Sequence, residues 1–156
     1  MPAGETSIAP DFTLFDSDKN KVSLSDFKGE NVLLLFFPLA FTSVCTAELC
    51  EVRDNITMYN NANVKVIGIS VDSLYTLSRY KAEQGINFPL LSDFNKTVST
   101  LYNTLYEVFG FGMKGVSKRS AFLIDKSGSI VFSEILENAG EIPDFIKIKE
   151  MMVRLD

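Results

Sequence analysis

The chain has 156 residues, of which 46% are hydrophobic and 22% charged, so it is long enough for one globular domain with a sizeable core. Its net charge of -5 comes from 20 acidic and 15 basic residues without a basic block, which gives no indication of binding to nucleic acid or an anionic membrane. The absence of histidine excludes Cys-His and Ser-His-Asp catalysis, and two cysteines alone make a poor zinc site, so neither a metal nor a cofactor is predicted.

No membrane span or secretory signal is predicted. The longest apolar run, residues 32–41, contains a proline and is shorter than the ~17 to 25 residues that a membrane span needs. Residues 1–7 have neither the basic region nor the apolar core of a secretory signal. We therefore expect a cytoplasmic protein with a single domain over residues 1–156. In the cytoplasm, cysteines are more often catalytic or metal-binding than permanently disulfide-bonded.

The first elements predicted are a hairpin and a buried strand. Residues 9–15 and 21–24 flank a polar turn, as in a β-hairpin, and residues 25–29 indicate a short turn or 3₁₀ segment. Residues 31–37 predict a strand, and after Asn31 every one of them is apolar, which is typical of a parallel strand covered on both faces. Pro38 ends this strand because proline lacks the N–H that a sheet needs.

Both cysteines lie on the helix that follows. Thr42 and Ser43 offer hydroxyl oxygens that can cap the helix, and with Thr42 as the cap Cys45 falls in its first turn. Side chains at helical spacing then predict one helix that ends near residues 60–61 and packs on the sheet through a single face. These side chains are Cys45, Leu49, Val52, Ile56 and Tyr59. Turns that follow parallel strands line the crevice where α/β proteins place their sites, so this segment is the candidate site.

Two interpretations of Cys45 remain open at this point, a core side chain and a nucleophile. A free thiol with a pKa near ~8.5 is only a few per cent ionised at pH 7, and a helix dipole contributes only ~0.3 to 1 kcal/mol. A reactive Cys45 therefore needs a cation from elsewhere in the chain. Cys50 lies five residues further and points away from the Cys45 face, so either the thiols are unrelated or the first turn must unwind for them to meet.

Strands and helices alternate in the rest of the chain. Residues 64–71 predict a second buried strand parallel to the first, and Asp72 and Ser73 can cap a helix that continues to about residue 82. A short β-segment at 88–91 precedes an amphipathic helix, a hairpin and a closing helix. The apolar positions of the amphipathic helix are Val98, Leu101, Leu105 and Val108, the hairpin strands are residues 120–124 and 130–135, and the closing helix spans residues 143–155.

The predicted fold class is α/β, a thioredoxin-like fold with a central mixed β-sheet flanked by helices and an N-terminal β-hairpin. Residues 109–115 are apolar but contain three glycines. They are either a loop that packs aromatic side chains into the core or, as the glycines favour, a mobile wall of the active site or part of a subunit contact.

The pattern Pro38-x3-Thr42-x2-Cys45 resembles the active-site signature of the peroxiredoxins, the thiol-specific antioxidant family. Residues 9–12 resemble the usual opening of that family and residues 88–93 its mid-chain segment. Arg119 and the apolar residues that follow it resemble the strand that carries the family's second active-site residue. The resemblance covers residues 8–150.

The resemblance implies a role for each residue of the signature. Cys45 would be the peroxidatic nucleophile, whose thiolate attacks a peroxide and becomes a sulfenic acid. Arg119 would supply the missing cation and hydrogen-bond both the thiolate and the peroxide. Thr42 would hydrogen-bond the peroxide, Pro38 would keep water from the thiolate, and Glu48 would orient Arg119.

Each of these residues also has an ordinary structural interpretation. Without the family pattern, Arg119 indicates a solvated strand end and Thr42 only a helix cap. Glu48 and Arg53 would lie on a solvated helix face, and we keep that interpretation for Arg53. Pro38 ends a strand in either case.

The position of Cys50 resembles the bacterioferritin-comigratory subgroup, some of whose members form an intramolecular disulfide. The resemblance therefore implies a thiol-dependent peroxidase for hydrogen peroxide and organic hydroperoxides, with Cys50 as the resolving residue. A thioredoxin-like or glutaredoxin-like reductant would recycle it, with no cofactor, and the protein would be a monomer or a homodimer.

Two rival functions differ from this prediction. A thioredoxin-like dithiol-disulfide oxidoreductase without peroxidase activity should have Cys-x-x-Cys and a proline before the strand that faces the site. Here four residues separate the cysteines, and residues 112–122 contain no proline. The second rival is a redox-inert binding or chaperone module that uses residues 109–115.

Overall fold

A computed structural model describes residues 7–155 of the chain. The prediction about a secretory signal falls almost entirely on residues 1–6, outside the described part. Among the described residues, no helix is both long enough and apolar enough to cross a bilayer. The strands found in residues 7–155 are β1 (Ser7–Ile8), β2 (Thr13–Asp16), β3 (Lys21–Ser23), β4 (Asn31–Phe36), β5 (Val64–Ser70), β6 (Leu90–Ser92), β7 (Ser120–Ile124) and β8 (Ser129–Ile135).

These eight strands form one mixed sheet in the order β1-β8-β7-β4-β5-β6-β2-β3. β4 lies at its centre, parallel to β5 on one side and antiparallel to β7 on the other. Every residue of β4 is buried, as its continuous apolar run predicts. The predicted mixed sheet and the N-terminal hairpin, formed by β2 and β3, are confirmed.

The described helices are α1 (Ser43–Asp54), α2 (Ile56–Asn61), α3 (Leu74–Gln84), α4 (Thr97–Leu101) and α5 (Phe145–Met152), with 3₁₀ turns at Leu24–Phe27 and Gly110–Gly112. Ser73 caps α3, as predicted, by accepting a hydrogen bond from the backbone N–H of Thr76. α3 continues past the predicted end at residue 82 to Gln84 and stops at Gly85, whose φ is 61°.

The prediction of a single helix from the cysteines to residues 60–61 was wrong, because the helix is interrupted at Asn55. The amide nitrogen Nδ2 of Asn55 donates to the carbonyl of Glu51, and such local side-chain bonds compete with the helical ladder. The predicted face is nevertheless kept. Of its members only Ile56 is partly exposed, and the others are buried.

The prediction of a helix through residues 98–108 was also wrong, since α4 ends at Leu101. Asn103 adopts a φ of 61°, a left-handed conformation that asparagine tolerates and that ends a helix. Leu105 instead forms an isolated antiparallel bridge with Ser117. Residues 102–119 therefore form a loop that contains this bridge and the 3₁₀ turn at Gly110–Gly112.

The core lies on both faces of the sheet because β4 alternates its side chains. Leu33 and Leu35 point to the face that α1, α3 and α5 cover, where Cys45 is also buried. Leu34 and Phe36 point to the opposite face, where the ring of Phe36 packs against those of Tyr102 and Phe122. The candidate nucleophile, Cys45, is thus part of the larger of the two core clusters.

Candidate active site

The pairing of β4 with β7 brings the candidate residues together. The register places Phe36, the last residue of β4, opposite Ser120, the first residue of β7. Arg119, one residue before β7, therefore lies beside the chain that leaves β4 and enters α1. The sheet, rather than sequence proximity, joins Arg119 to Cys45 across 74 residues.

Cys45 is the third residue of α1, and its side chain is 1% exposed. Nη1 of Arg119 donates a hydrogen bond to the sulfur over 3.3 Å. The cation that a reactive Cys45 requires is therefore present, and it contacts the sulfur directly.

Arg119 is buried and hydrogen-bonds to three acceptors. Besides the sulfur, Nη1 donates to Oε1 of Glu48 over 2.8 Å, and Nη2 donates to the carbonyl of Ala139 over 3.0 Å. Burial acts to lower the pKa of Arg119, but Glu48 and Cys45 outweigh it and raise that pKa above its ordinary value. The interpretation of Arg119 as a solvated strand end was therefore wrong.

Glu48 is completely buried, so it does not lie on the solvated helix face that was its alternative interpretation. Burial raises the pKa of Glu48 to about 7, although Arg119 acts in the opposite direction. Its second oxygen, Oε2, has no hydrogen-bond partner among the described residues. The carboxyl group therefore changes its protonation near neutral pH, next to the guanidinium that contacts the sulfur.

Thr42 occupies the cap position of α1, but the prediction that its hydroxyl caps the helix was wrong. Its Oγ1 donates to the carbonyl of Leu39 over 2.8 Å. This turn is tight because Phe41 has a φ of 66°, and the carbonyl therefore comes within reach of the hydroxyl. With no side-chain cap, the first N–H groups of α1 are left for another acceptor.

A cavity of about 240 Å³ lies over the sulfur, and its walls include Pro38, Thr42, Cys45 and Arg119. Phe109 also lines the cavity, and so do Ala139 and Gly140 from the loop after β8. No sequence pattern marks Ala139, because it contributes a backbone carbonyl that any residue carries. Phe111 is fully exposed, which excludes it from the core, whereas Phe109 lines the cavity.

The structure does not place Cys50 next to Cys45. Its side chain is half-buried, and its sulfur lies 3.8 Å from Oε1 of Gln84 at the end of α3. Both cysteines are free. Arg53 donates to the backbone carbonyl of Gln84, so it links α1 to α3 and is not the purely solvated residue that we expected.

A buried sulfur held against an arginine, at a small cavity over the end of a parallel strand, defines the class of cysteine-dependent redox enzymes. The AhpC/TSA family profile matches residues 6–133. The chain belongs to this family and is a peroxiredoxin, a thiol-dependent peroxidase.

The relatives agree with this assignment over most of the chain. Peroxiredoxin Bcp of Escherichia coli is 40% identical over 132 residues, 83% of each protein. Alkyl hydroperoxide reductase E of Mycobacterium tuberculosis is 40% identical over 141 residues, 88% of each. The crystal structure of peroxidoxin BcpB from the same organism superposes with a TM-score of 0.83 at 25% identity, covering 99% of this chain and 97% of that one. The resemblance to the bacterioferritin-comigratory subgroup and the thioredoxin-like fold class are thereby confirmed.

Proposed function

We propose that the protein reduces hydrogen peroxide and organic hydroperoxides through a sulfenic acid at Cys45. The observation that carries this proposal is the 3.3 Å contact between Nη1 of Arg119 and the Cys45 sulfur. The thiolate attacks one peroxide oxygen, so an S–O bond forms while the O–O bond breaks. The departing oxygen takes a proton and leaves as water or an alcohol, and the sulfur is oxidised.

The other residues of the cavity have supporting roles in this step. Arg119 stabilises the thiolate and the negative charge that grows on the departing oxygen. The N–H groups at the start of α1, which no side chain caps, and the hydroxyl of Thr42 are the remaining polar groups for the peroxide. Pro38 is buried and has no N–H, so it excludes water from the sulfur. Glu48 fixes the guanidinium.

We infer that Cys50 resolves the sulfenic acid. Its thiolate attacks the Cys45 sulfur, an S–S bond forms, and the S–O bond breaks as the oxygen leaves in a water molecule. Because Cys50 faces Gln84, the start of α1 must unwind first. A thioredoxin-like or glutaredoxin-like dithiol then reduces the small-looped disulfide, and such reductants belong to the cytoplasm. The oligomeric states compatible with the proposal are a monomer and a homodimer.

Stopped-flow oxidation of the reduced protein by hydrogen peroxide and by cumene hydroperoxide tests this proposal. We expect Cys45→Ser to abolish the reaction and Arg119→Ala to slow it about 10²- to 10³-fold, as for the loss of one charge-stabilising donor. Arg79→Ala, which removes an exposed arginine paired with Glu83, is the matched control and should react as the wild type does. Rapid oxidation of Cys45→Ser would refute the proposal.

Intact-mass measurement after one equivalent of peroxide tests the resolving step separately. The wild type should lose two hydrogens, whereas Cys50→Ser should retain one added oxygen as a trappable sulfenic acid. Identical oxidation products in the two proteins would show that Cys50 does not resolve Cys45.

A further inference from the structure

One side chain of α3 contacts both ends of the turn that carries Cys45. Tyr80 is fully buried, and its hydroxyl lies 2.9 Å from Oγ1 of Thr46, the residue after Cys45. The ring of Phe41 packs edge-on against the Tyr80 ring at a centroid distance of 5.0 Å. Tyr80 therefore touches the segment just before α1 and the first turn of α1 itself.

The Tyr80 hydroxyl keeps its proton, so it can act as donor or as acceptor in the hydrogen bond with Thr46. Burial raises the pKa of Tyr80 to about 12, although the hydrogen bond with Thr46 acts in the opposite direction. The hydroxyl thus remains protonated at any physiological pH. It can donate to Thr46 both before and after Cys45 is oxidised.

The segment that Tyr80 contacts has features of a conformational switch. Phe41 has a φ of 66°, which is costly for a bulky side chain, and its ring is half exposed. Before it, the N–H of Ala40 is held by Oδ2 of Asp72 over 2.8 Å. Residues 41–46 therefore lie between two attachment points, Asp72 and Tyr80. Unwinding the first turn relieves the strain at Phe41 but breaks the bond between Thr46 and Tyr80.

We propose that the Tyr80 hydroxyl is a latch, a positioning group that determines how often the first turn of α1 opens. The latch rests on the proposed function in one respect, since opening matters for turnover only if Cys50 resolves Cys45. While the latch is closed, the sulfenic acid is held away from Cys50. A second peroxide can then add another oxygen to the sulfur, which gives a sulfinic acid and releases water or an alcohol.

Tyr80→Phe tests the latch because it removes the hydroxyl and keeps the ring. We expect the ratio of the rate of disulfide formation to the rate of sulfenic acid formation to rise about two- to tenfold, the range for one hydrogen bond. The peroxide concentration that half-converts Cys45 to sulfinic acid should rise with it. Tyr102→Phe is the matched control, since that buried hydroxyl donates to the carbonyl of Pro10 on the other face of the sheet.

A double-mutant cycle with Thr46→Val shows whether Tyr80 acts through Thr46. Both single variants remove the same bond, so the gain of the combined variant should be smaller than the product of the two single gains. A gain equal to that product would mean that Tyr80 and Thr46 act separately. The latch as stated would then be refuted.

Amide hydrogen exchange of the reduced protein at Thr46, whose N–H donates to the carbonyl of Thr42 in the first turn of α1, separates the latch from the resolving role of Cys50. The measurement is made in Cys50→Ser with and without Tyr80→Phe, so it needs no disulfide. Faster exchange in the double variant supports the latch even if Cys50 proves not to resolve Cys45. Exchange unchanged by Tyr80→Phe, together with a rate ratio equal to that of Tyr102→Phe, overturns it.

Discussion

Arg119 illustrates why an arginine rather than a lysine belongs at this buried position. Its planar guanidinium reaches the sulfur of Cys45, the carboxyl of Glu48 and the carbonyl of Ala139 in three directions. A lysine ammonium carries the same charge but is a single point on a flexible stem. It cannot hold the sulfur and the other two acceptors in this fixed geometry.

We therefore expect Arg119→Lys to lower the second-order rate constant for peroxide by about 100-fold, the size of effect found when one charge-stabilising donor is lost. Stopped-flow measurement of sulfenic acid formation checks this value. Arg79→Lys, on the exposed face of α3, is the control and should leave the rate constant unchanged. An Arg119→Lys protein that reacts with peroxide as fast as the wild type would show that a positive charge is sufficient and that the planar guanidinium is not needed.

Glu48 makes the stability of the protein depend on pH near neutrality. Its folded-state pKa of about 7 lies above the ordinary value of 4.5, so the folded protein keeps a proton that the unfolded chain releases. This contribution to stability is complete below pH 4.5 and is lost as the pH rises through about 7. Glu48→Gln cannot release a proton, so its free energy of unfolding should vary less across this window.

Urea unfolding at several pH values between 4.5 and 8 tests the assignment of Glu48. Glu83→Gln, at an exposed carboxyl on α3, serves as the control and should keep the wild-type pH dependence. If Glu48→Gln also keeps it, another group titrates in this range.

At the residue scale the sequence predicted that Arg119 lies beside Cys45, as the structure shows, but it did not predict the protonation and hydrogen bonds of the residues around them. Cys45 was recognisable because it follows a buried strand, and Arg119 only because a family pattern linked it to Cys45 over 74 residues. The protonation of Glu48 depends on burial by side chains from other elements. The hydrogen bond from the Thr42 hydroxyl to the carbonyl of Leu39 depends on the backbone conformation of Phe41. Neither property is encoded in local spacing.

At the scale of elements, strands were easier to predict than helix ends. β4 was predictable because the six continuous apolar residues from Val32 to Phe37 are typical of a strand that is buried on both faces in an α/β protein. The helix predicted over residues 98–108 had a correct apolar spacing, yet Val108 is 56% exposed. The left-handed conformation of Asn103 depends on tertiary contacts such as the bridge between Leu105 and Ser117, which no periodicity records.

Gly68 of β5 packs closely against β6 and against Phe37, which follows β4 and precedes the site residue Pro38. A Cβ atom at Gly68 would lie 2.7 Å from Cδ2 of Leu90 and 3.3 Å from Cε1 of Phe37, the residue before Pro38. We expect Gly68→Ala to lower the free energy of unfolding by about 1 to 3 kcal/mol, as overpacking does, measured by urea denaturation. Gly110→Ala is the control, since a Cβ there meets no atom within 4 Å. Equal midpoints for the two variants would contradict tight packing at Gly68.

At the scale of the whole molecule, both interpretations of Cys45 hold together. Its side chain is part of the core cluster that α1, α3 and α5 form on one face of the sheet, and it is also the atom that contacts Arg119. Catalysis and core packing therefore depend on the same residue. The proposed reaction with Cys50 must remove this side chain from the core in every cycle.

This double use predicts that oxidation destabilises the protein. Formation of the proposed Cys45–Cys50 disulfide loses the burial of one small apolar side chain and the first turn of α1, about 2 kcal/mol. It also loses the hydrogen bond from the charged Arg119 to the Cys45 sulfur, which is worth about 2 kcal/mol. Cross-linking so short a loop offsets about 2 kcal/mol of this sum, which leaves a net loss of about 2 kcal/mol. The melting temperature of the oxidised protein should therefore be roughly 4 to 8 °C below that of the reduced protein by calorimetry. Dithiothreitol should restore the higher value, and Cys50→Ser, which cannot form the bond, should show a smaller fall. A disulfide form that melts at or above the reduced temperature would mean that the thiols meet without unpacking Cys45, and the opening of α1 would then be unnecessary.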